Sequence, residues 1–393
     1  MTTPSVLISG AGVGGPTLAY WLAERGFRTT VVERAAGLRT SGNPVDVRGP
    51  AVEVAERMGV MERLREAATD VTAMSFVNGS GRQVGRVNMR ALQRATGSRE
   101  VEVTRTDLAR ILYEAGRDSA EFLFDDTITS LSQDGGGVEV TFEKAAPRRF
   151  DLVIGADGLH STTRRIAFGP EEDFVRHMGL YVATMQLNGP AEHGKDVVLH
   201  NAPGRMASVH PVRGRALAAF IFRSPAVQGF DHRDIEQHKR IVTDTYAGDG
   251  WRVPELLDRV RAADDLWLDS VSQVRLDRWS KGRVALLGDA ASSVSLFGDG
   301  STLAMAGAYT LAEELAASPA DPRSAFARYE ARHRTLVDPK QNNVAMAASL
   351  MVPSTRTGIA ARNLATHLWP AAATAGRLRN LLTSRRDPAP AAA

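Results

Sequence analysis

The chain has 393 residues, 43% hydrophobic and 24% charged, with a formal net charge of +3; this is globular usage, with length for two joined domains. No cysteine is present, which excludes disulfides, a thiolate nucleophile, and zinc or iron–sulfur sites built on cysteine. Basic residues are dispersed among acids, no stretch has the length of a membrane span and no leader precedes the first strand pattern, so a cytoplasmic protein without nucleic-acid or membrane partners is expected.

The first predicted element is a strand, Val6-Leu7-Ile8, running into Gly10-Ala11-Gly12-Val13-Gly14-Gly15 and a helical pattern over residues 16–25. Strand, glycine turn and helix in this order make a dinucleotide-binding fingerprint. Gly10 permits the tight turn, Gly12 lets the backbone approach a pyrophosphate, and Gly15 lets the helix pack close to the sheet. Unpaired N–H groups at the helix head then face the anion. A second strand over residues 29–32 ends in Glu33, eighteen residues beyond Gly15, where a carboxylate can accept hydrogen bonds from a ribose. Val13, Gly14 and Arg34 complete this candidate cofactor set. The fingerprint alone leaves NAD, NADP, FAD and S-adenosylmethionine open.

A short strand, Val45-Asp46-Val47, and a helix over residues 50–65 follow. Residues 74–89 read as a hairpin turned at Asn78-Gly79-Ser80-Gly81. A helix is expected over residues 106–116, after Thr104-Arg105, and strands over residues 122–142 on either side of Asp134-Gly135-Gly136-Gly137. The apolar run Phe150-Asp151-Leu152-Val153-Ile154 then delivers Gly155-Ala156-Asp157-Gly158-Leu159-His160-Ser161-Thr162-Thr163-Arg164. Between residues 180 and 276 the chain changes character. Strand patterns over residues 181–187, 206–209 and 216–222, with helices over 235–247 and 254–263, suggest an antiparallel sheet that takes the substrate. Met185, His210, Arg213, Phe220 and Phe222 are candidate wall residues on it, although alternation turns half of such positions away from any one face. A third apolar run, Arg283-Val284-Ala285-Leu286-Leu287, delivers Gly288-Asp289-Ala290-Ala291, with helices expected over 302–317 and 323–348. Residues 356–386 mix apolar residues with arginines around Pro370, and a disordered tail is expected over residues 387–393.

All three motif loops leave the carboxyl ends of strands expected to be parallel, where open α/β sheets bind ligands. Together they resemble the single-component FAD-dependent aromatic hydroxylases, the p-hydroxybenzoate hydroxylase-like family that includes tetracycline-inactivating flavin monooxygenases, over nearly the whole chain. The resemblance implies an α/β fold: a discontinuous FAD-binding Rossmann-like domain (residues 1–72, 96–170 and 276–350), a β-sheet substrate domain (73–95 and 171–275) and a C-terminal helical segment (351–386). It implies noncovalent FAD, NADPH or NADH as transient reductant, and hydroxylation of a small aromatic or polycyclic substrate by dioxygen through a C4a-hydroperoxyflavin. Gly10, Gly12, Gly15 and Glu33 then hold the ADP half of FAD. Arg105 reaches the flavin nucleotide, Asp289 the ribityl and pyrophosphate region, and Asp46 lies on a strand passing the flavin. Asp157 and Arg164 belong to a motif associated with both FAD and NAD(P)H.

Two residues depart from the family pattern. Ser292 stands where a histidine usually follows the Gly-Asp-Ala-Ala motif, and Leu296 where a proline lies near the reactive edge of the flavin. Leu296 and Phe297 therefore join the candidate substrate wall, with a more apolar cavity expected. The turn at Gly298 and Gly300, followed by Ser301, survives, so N–H groups at the head of the next helix can approach the flavin pyrimidine. FAD binding follows more directly than oxygen transfer. A dehydrogenase or reductase on the same fold, without oxygen insertion, is the alternative, and a non-catalytic flavin sensor a third reading. No protein residue stands out as catalytic: the nine histidines lack metal-ligand spacing, and Ser161 and Ser292 lack a histidine–acid pattern. The flavin is expected to carry the chemistry, and oligomeric state is not legible.

Overall fold

Strand β1 (Ser5–Ser9) is buried along its whole length, as its unbroken apolar run requires of a strand covered on both faces. The computed structural model describes residues 3–38, 43–96, 99–212, 214–294 and 299–366; Arg213, Leu296, Phe297, Gly298 and everything beyond residue 366 lie outside the described residues. After β1 come α1 (Gly14–Ala23), β2 (Arg28–Glu33), β3 (Pro44–Val47), α2 (Pro50–Arg57), α3 (Met61–Glu66), β4 (Ala73–Val77), β5 (Gln83–Asn88), α4 (Met89–Thr96), β6 (Val101–Thr104), α5 (Arg105–Gly116) and β7 (Glu121–Phe124). Next are β8 (Ile128–Gln133), β9 (Val138–Phe142), β10 (Arg148–Phe150), β11 (Leu152–Gly155) and α6 (Thr162–Ala167). The remainder holds β12 (Val175–Leu187), β13 (Asp196–Ala202), β14 (Arg205–Val212), β15 (Arg215–Arg223), α7 (Ile235–Tyr246), α8 (Val253–Ala262), β16 (Trp267–Val274), β17 (Ser280–Lys281), β18 (Val284–Leu286), α9 (Asp289–Ser292), α10 (Asp299–Ala317) and α11 (Pro322–Met351).

Among the described residues the first sheet has six strands in the order β17-β18-β11-β1-β2-β7, parallel except for the β17–β18 pair. Alternation decides what each face meets. Val6 and Ile8 pack with Leu18 and Leu22 of α1 and Leu311 of α10, whereas Leu7 turns to the opposite core, with Val140 and Phe142 of the β8–β10 sheet. The second sheet has seven strands in the order β16-β12-β15-β14-β13-β4-β5, antiparallel except for β13 beside β4. One face packs on α7 and α8 through Phe220, Tyr246 and Leu256. The other receives the end of α11 through Ala348 and Val352; we call it the front face.

Several sequence expectations change in the folded chain. The helix expected over residues 50–65 is two helices, because Gly59 adopts φ +70° and a left-handed glycine ends a helix. The expected hairpin is formed by β4 and β5, and β4 pairs with β13, so that it extends the large sheet. Strands β13 and β16 had no recognised pattern, since adjacent buried residues on each hide the alternation. Met185, Phe220 and Phe222 are corrected as substrate-wall residues. They lie 0–2% exposed in the core between the sheet and α7 and α8, with Phe220 edge-on to Tyr246 and Phe222 stacked on Tyr181.

Candidate active site

The three motif loops meet at the carboxyl edge of the first sheet. Gly10 has φ +107°, and a Cβ there would lie 2.5 Å from the carbonyl oxygen of Ala156, so only glycine lets the first and middle loops touch backbone to backbone. A Cβ on Gly15 would lie 1.9 Å from the carbonyl oxygen of Gly10, which is the close strand–helix approach the fingerprint demands. Gly14 sits against Leu287 and Ala304 of the late motif and α10. A Cβ on Gly12, by contrast, would meet nothing within 4 Å. The loop is therefore packed from behind and open above, at the head of α1, which begins just after Val13. That arrangement fits the pyrophosphate of a dinucleotide.

Glu33 stands beside this opening. The Ala11 N–H donates to its Oε2 at 2.7 Å and the Ala35 N–H to its Oε1 at 2.9 Å, fixing the carboxylate at the end of β2. Arg34 reaches across and donates from Nη2 to Thr162 Oγ1 at 2.8 Å. Asp157 accepts from Ser161 Oγ, from the Thr163 N–H at 2.8 Å and from Thr163 Oγ1 at 2.9 Å, tying its loop to the start of α6. Arg164 is fully buried and donates to the carbonyls of Ala290 at 3.0 Å and Leu159 at 2.6 Å. Asp157 and Arg164 thus brace the loops, and Arg164 joins the middle motif directly to the Gly-Asp motif.

Asp289 opens α9 after Gly288, which has φ +62°. Burial pushes its carboxyl above the usual range, while the charge of Arg105 pulls it back. Its Oδ1 would lie 3.6 Å from a Cβ on Gly300, so Arg105, Asp289 and the head of α10 form one neighbourhood. The β3–β6 ribbon closes it: Ser301 Oγ and Thr302 Oγ1 donate to the Asp46 carbonyl at 2.8 and 3.1 Å. Burial pushes the Asp46 carboxyl up to about 6, against the pull of Arg48, with Glu102 directly opposite on β6 raising it further. Sequence reasoning passed over Arg48, whose guanidinium bonds Asp299 Oδ1 at 2.7 Å; Lys340 of α11 reaches the same oxygen at 3.0 Å. The signal available was Arg48 two residues after Asp46.

A second unrecognised group joins the two sheets. His160 of the middle motif lies 2.9 Å from Glu171 Oε1 through Nδ1 and 3.2 Å from Asp269 Oδ2 of β16 through Nε2, and its ring stacks on His232 at 3.9 Å. Burial alone would lower its pKa, but the Asp269 and Glu171 hydrogen bonds outweigh it and hold it at about 9.

On the large sheet, Ser208 and His210 alternate with Ala207 and Val209. Those two face α7 and α8, so Ser208 and His210 stand on the front face. Ser208 Oγ lies 3.0 Å from His210 Nε2. The cofactor loops border this sheet directly: Ser293, just after α9, donates from Oγ to the Ser272 carbonyl at 3.1 Å, and Gln341 of α11 donates to the carbonyls of Val274 and Ser293 at 2.9 and 3.1 Å.

A glycine cradle, an acid at the end of the second parallel strand and a Gly-Asp loop against the same helix head define a dinucleotide-binding flavoprotein, and these residues fit FAD. The chain belongs to the family described as the FAD binding domain, whose model matches residues 3–338. It is 42% identical over 341 residues to an uncharacterized protein of Mycobacterium tuberculosis strain H37Rv, covering 86% of this chain and 91% of that one. It is 34% identical over 346 residues to a flavin-dependent monooxygenase of Legionella longbeachae, covering 86% of each. Among solved structures, the tetracycline destructase Tet(51) superposes with a TM-score of 0.81 at 31% identity, over 93% of this chain and 96% of that one. Klebsiella pneumoniae HpxO, complexed with FAD and uric acid, shares the fold with a TM-score of 0.74 at 24% identity, over 92% of each chain. The protein is an FAD-dependent monooxygenase of this group.

Proposed function

We propose that the protein uses NADPH or NADH and dioxygen to hydroxylate a small aromatic or polycyclic molecule lying between the flavin and the front face of the large sheet. The observation that carries this reading is the shared boundary of cofactor loop and sheet, where Ser293 and Gln341 stitch the end of α9 to β16. Bound FAD supplies the centre that takes electrons and activates dioxygen. The chain binds and orients. The head of α1 and Glu33 hold the ADP half, Arg105 and Asp289 the ribityl side, and N–H groups at the head of α10 face the flavin ring. The front face supplies apolar cover, including Val182 and Ile221, which keeps water from the reacting centre. The likeness to a tetracycline destructase supports a polycyclic substrate.

Labelled dioxygen tests the proposal. With FAD-loaded protein, reductant and a panel of phenols and polycyclic phenols, one oxygen-18 atom is expected in the product and the other in water. Reductant oxidation with an unlabelled product would refute hydroxylation in favour of electron transfer alone.

A further inference from the structure

The front face carries a polar pair that nothing in cofactor binding employs. Ser208 is fully buried, and His210 is half-buried beside it. Their strand neighbours on this face are Leu217, opposite His210, and Ala219, opposite Ser208. Both are almost fully buried, so the side chains directly opposite the pair are apolar, with Thr184 and Gln186 beyond them on the next strand.

The partners of Ser208 assign the proton on the ring. Its Oγ lies 3.4 Å from the Ala219 carbonyl oxygen as well as 3.0 Å from His210 Nε2. The carbonyl can only accept. Both contacts are hydrogen bonds at once only when the hydroxyl donates to Ala219 and accepts from Nε2–H, which is the tautomer that leaves Nδ1 its lone pair. No partner of Nδ1 occurs among the described residues. Among the described residues no charged group shifts the ring, and burial lowers its pKa to about 4. The imidazole is thus neutral at ordinary pH, and too weak a base to take the proton of a phenol with a pKa near 10. What it offers is one directed acceptor beside the apolar side chains of Leu217 and Ala219.

We infer that His210 is a substrate-orienting residue whose Nδ1 accepts a hydrogen bond from a neutral aromatic hydroxyl group, with Ser208 holding the ring in the accepting tautomer. The site therefore favours uncharged phenols over their ethers, which cannot donate, and over aromatic carboxylates, which only accept. This rests on the aromatic-substrate reading above and narrows it to hydroxyl-bearing substrates.

The test compares 2-naphthol with 2-methoxynaphthalene, followed by the perturbation of the bound flavin spectrum in FAD-loaded wild type, His210→Asn and His210→Gln. Asn places an acceptor near Nδ1, whereas Gln places its amide near Nε2. Wild type is expected to prefer the naphthol by about tenfold, the scale of one neutral hydrogen bond. His210→Asn should keep that preference within about threefold and His210→Gln should lose it. Should His210→Gln fail to load FAD, Ser208→Ala replaces it, and is expected to reduce the preference because the accepting tautomer is no longer held. Equal binding of both probes by wild type, or an undiminished preference in the Gln or Ala variant, overturns the role of His210 alone. Binding of neither probe by loaded wild type overturns the aromatic-substrate reading and the inference with it.

Discussion

Replacing His160 by Gln should destabilise the protein in a pH-dependent way. His160 joins the middle motif loop to β16 through Glu171 and Asp269, and the folded state holds its pKa at about 9 against the ordinary 6.5. A pKa raised by folding contributes stability that is complete below the unfolded value and disappears as pH rises through the folded one. Each pH unit between the two values corresponds to about 1.4 kcal/mol, so the ceiling is about 3 kcal/mol. The side chain is 26% exposed, and solvent screening reduces this to about 1–2 kcal/mol. Arg164 lies 3.6 Å from Glu171, so one carboxylate keeps a cation when His160 is lost, which also argues for the lower figure. Melting curves of FAD-loaded wild type and His160→Gln should differ by a few degrees at pH 6.5. The difference should shrink steadily towards pH 9 and vanish by about pH 10. At pH below the ordinary imidazole range, protonation of the stacked His232, whose pKa is lowered first by burial and then by the His160 charge, would oppose the clamp. A melting difference that stayed constant, or grew, from pH 6.5 to 10 would refute the linkage.

Gly15→Ala should abolish FAD retention and lower the melting temperature, because its Cβ would sit 1.9 Å from Gly10 O and α1 would have to withdraw from β1 at a cost of about 1–3 kcal/mol or more; full flavin content in the variant would contradict the cradle. Asp289→Ala should weaken FAD binding at least tenfold in a flavin titration while the melting of the cofactor-free protein stays near wild type, since its carboxyl is already destabilised by burial. Phe220→Ala should cost about 3–5 kcal/mol in urea unfolding, as a buried aromatic truncated behind the sheet, with ligand affinity nearly unchanged; a large loss of affinity at unchanged stability would return Phe220 to the substrate wall.

The glycine turn and the acid beside it were legible because their requirements are local. A turn that only glycine can make, a helix that only glycine lets approach, and an acid at the end of the next strand fall within residues 10–33, where spacing along the chain is spacing in the fold. The Gly-Asp loop was readable for the same reason, being delivered by its own buried strand, β18. The substrate face was not legible. Phe220 and Phe222 share a strand with Ala219 and Ile221, and nothing in their residue types says which pair meets the helices. Register against β12 and β14 decided it, placing Ile221 at the front and both phenylalanines behind.

Sequence by itself therefore determined the nucleotide-binding turn and the parallel strands that present it, because dihedral freedom and close backbone approach belong to particular residues and short segments, while FAD itself followed from the resemblance carried by the three motifs together. Only the tertiary structure decided what distant residues do together. It turned Arg164 into a brace on Ala290, set His160 between Glu171 and Asp269, and left His210 on the front face with Ser208. Each of these depends on segments tens of residues apart, or on which side of a sheet alternation turns to the core, and both are settled by packing rather than by local pattern.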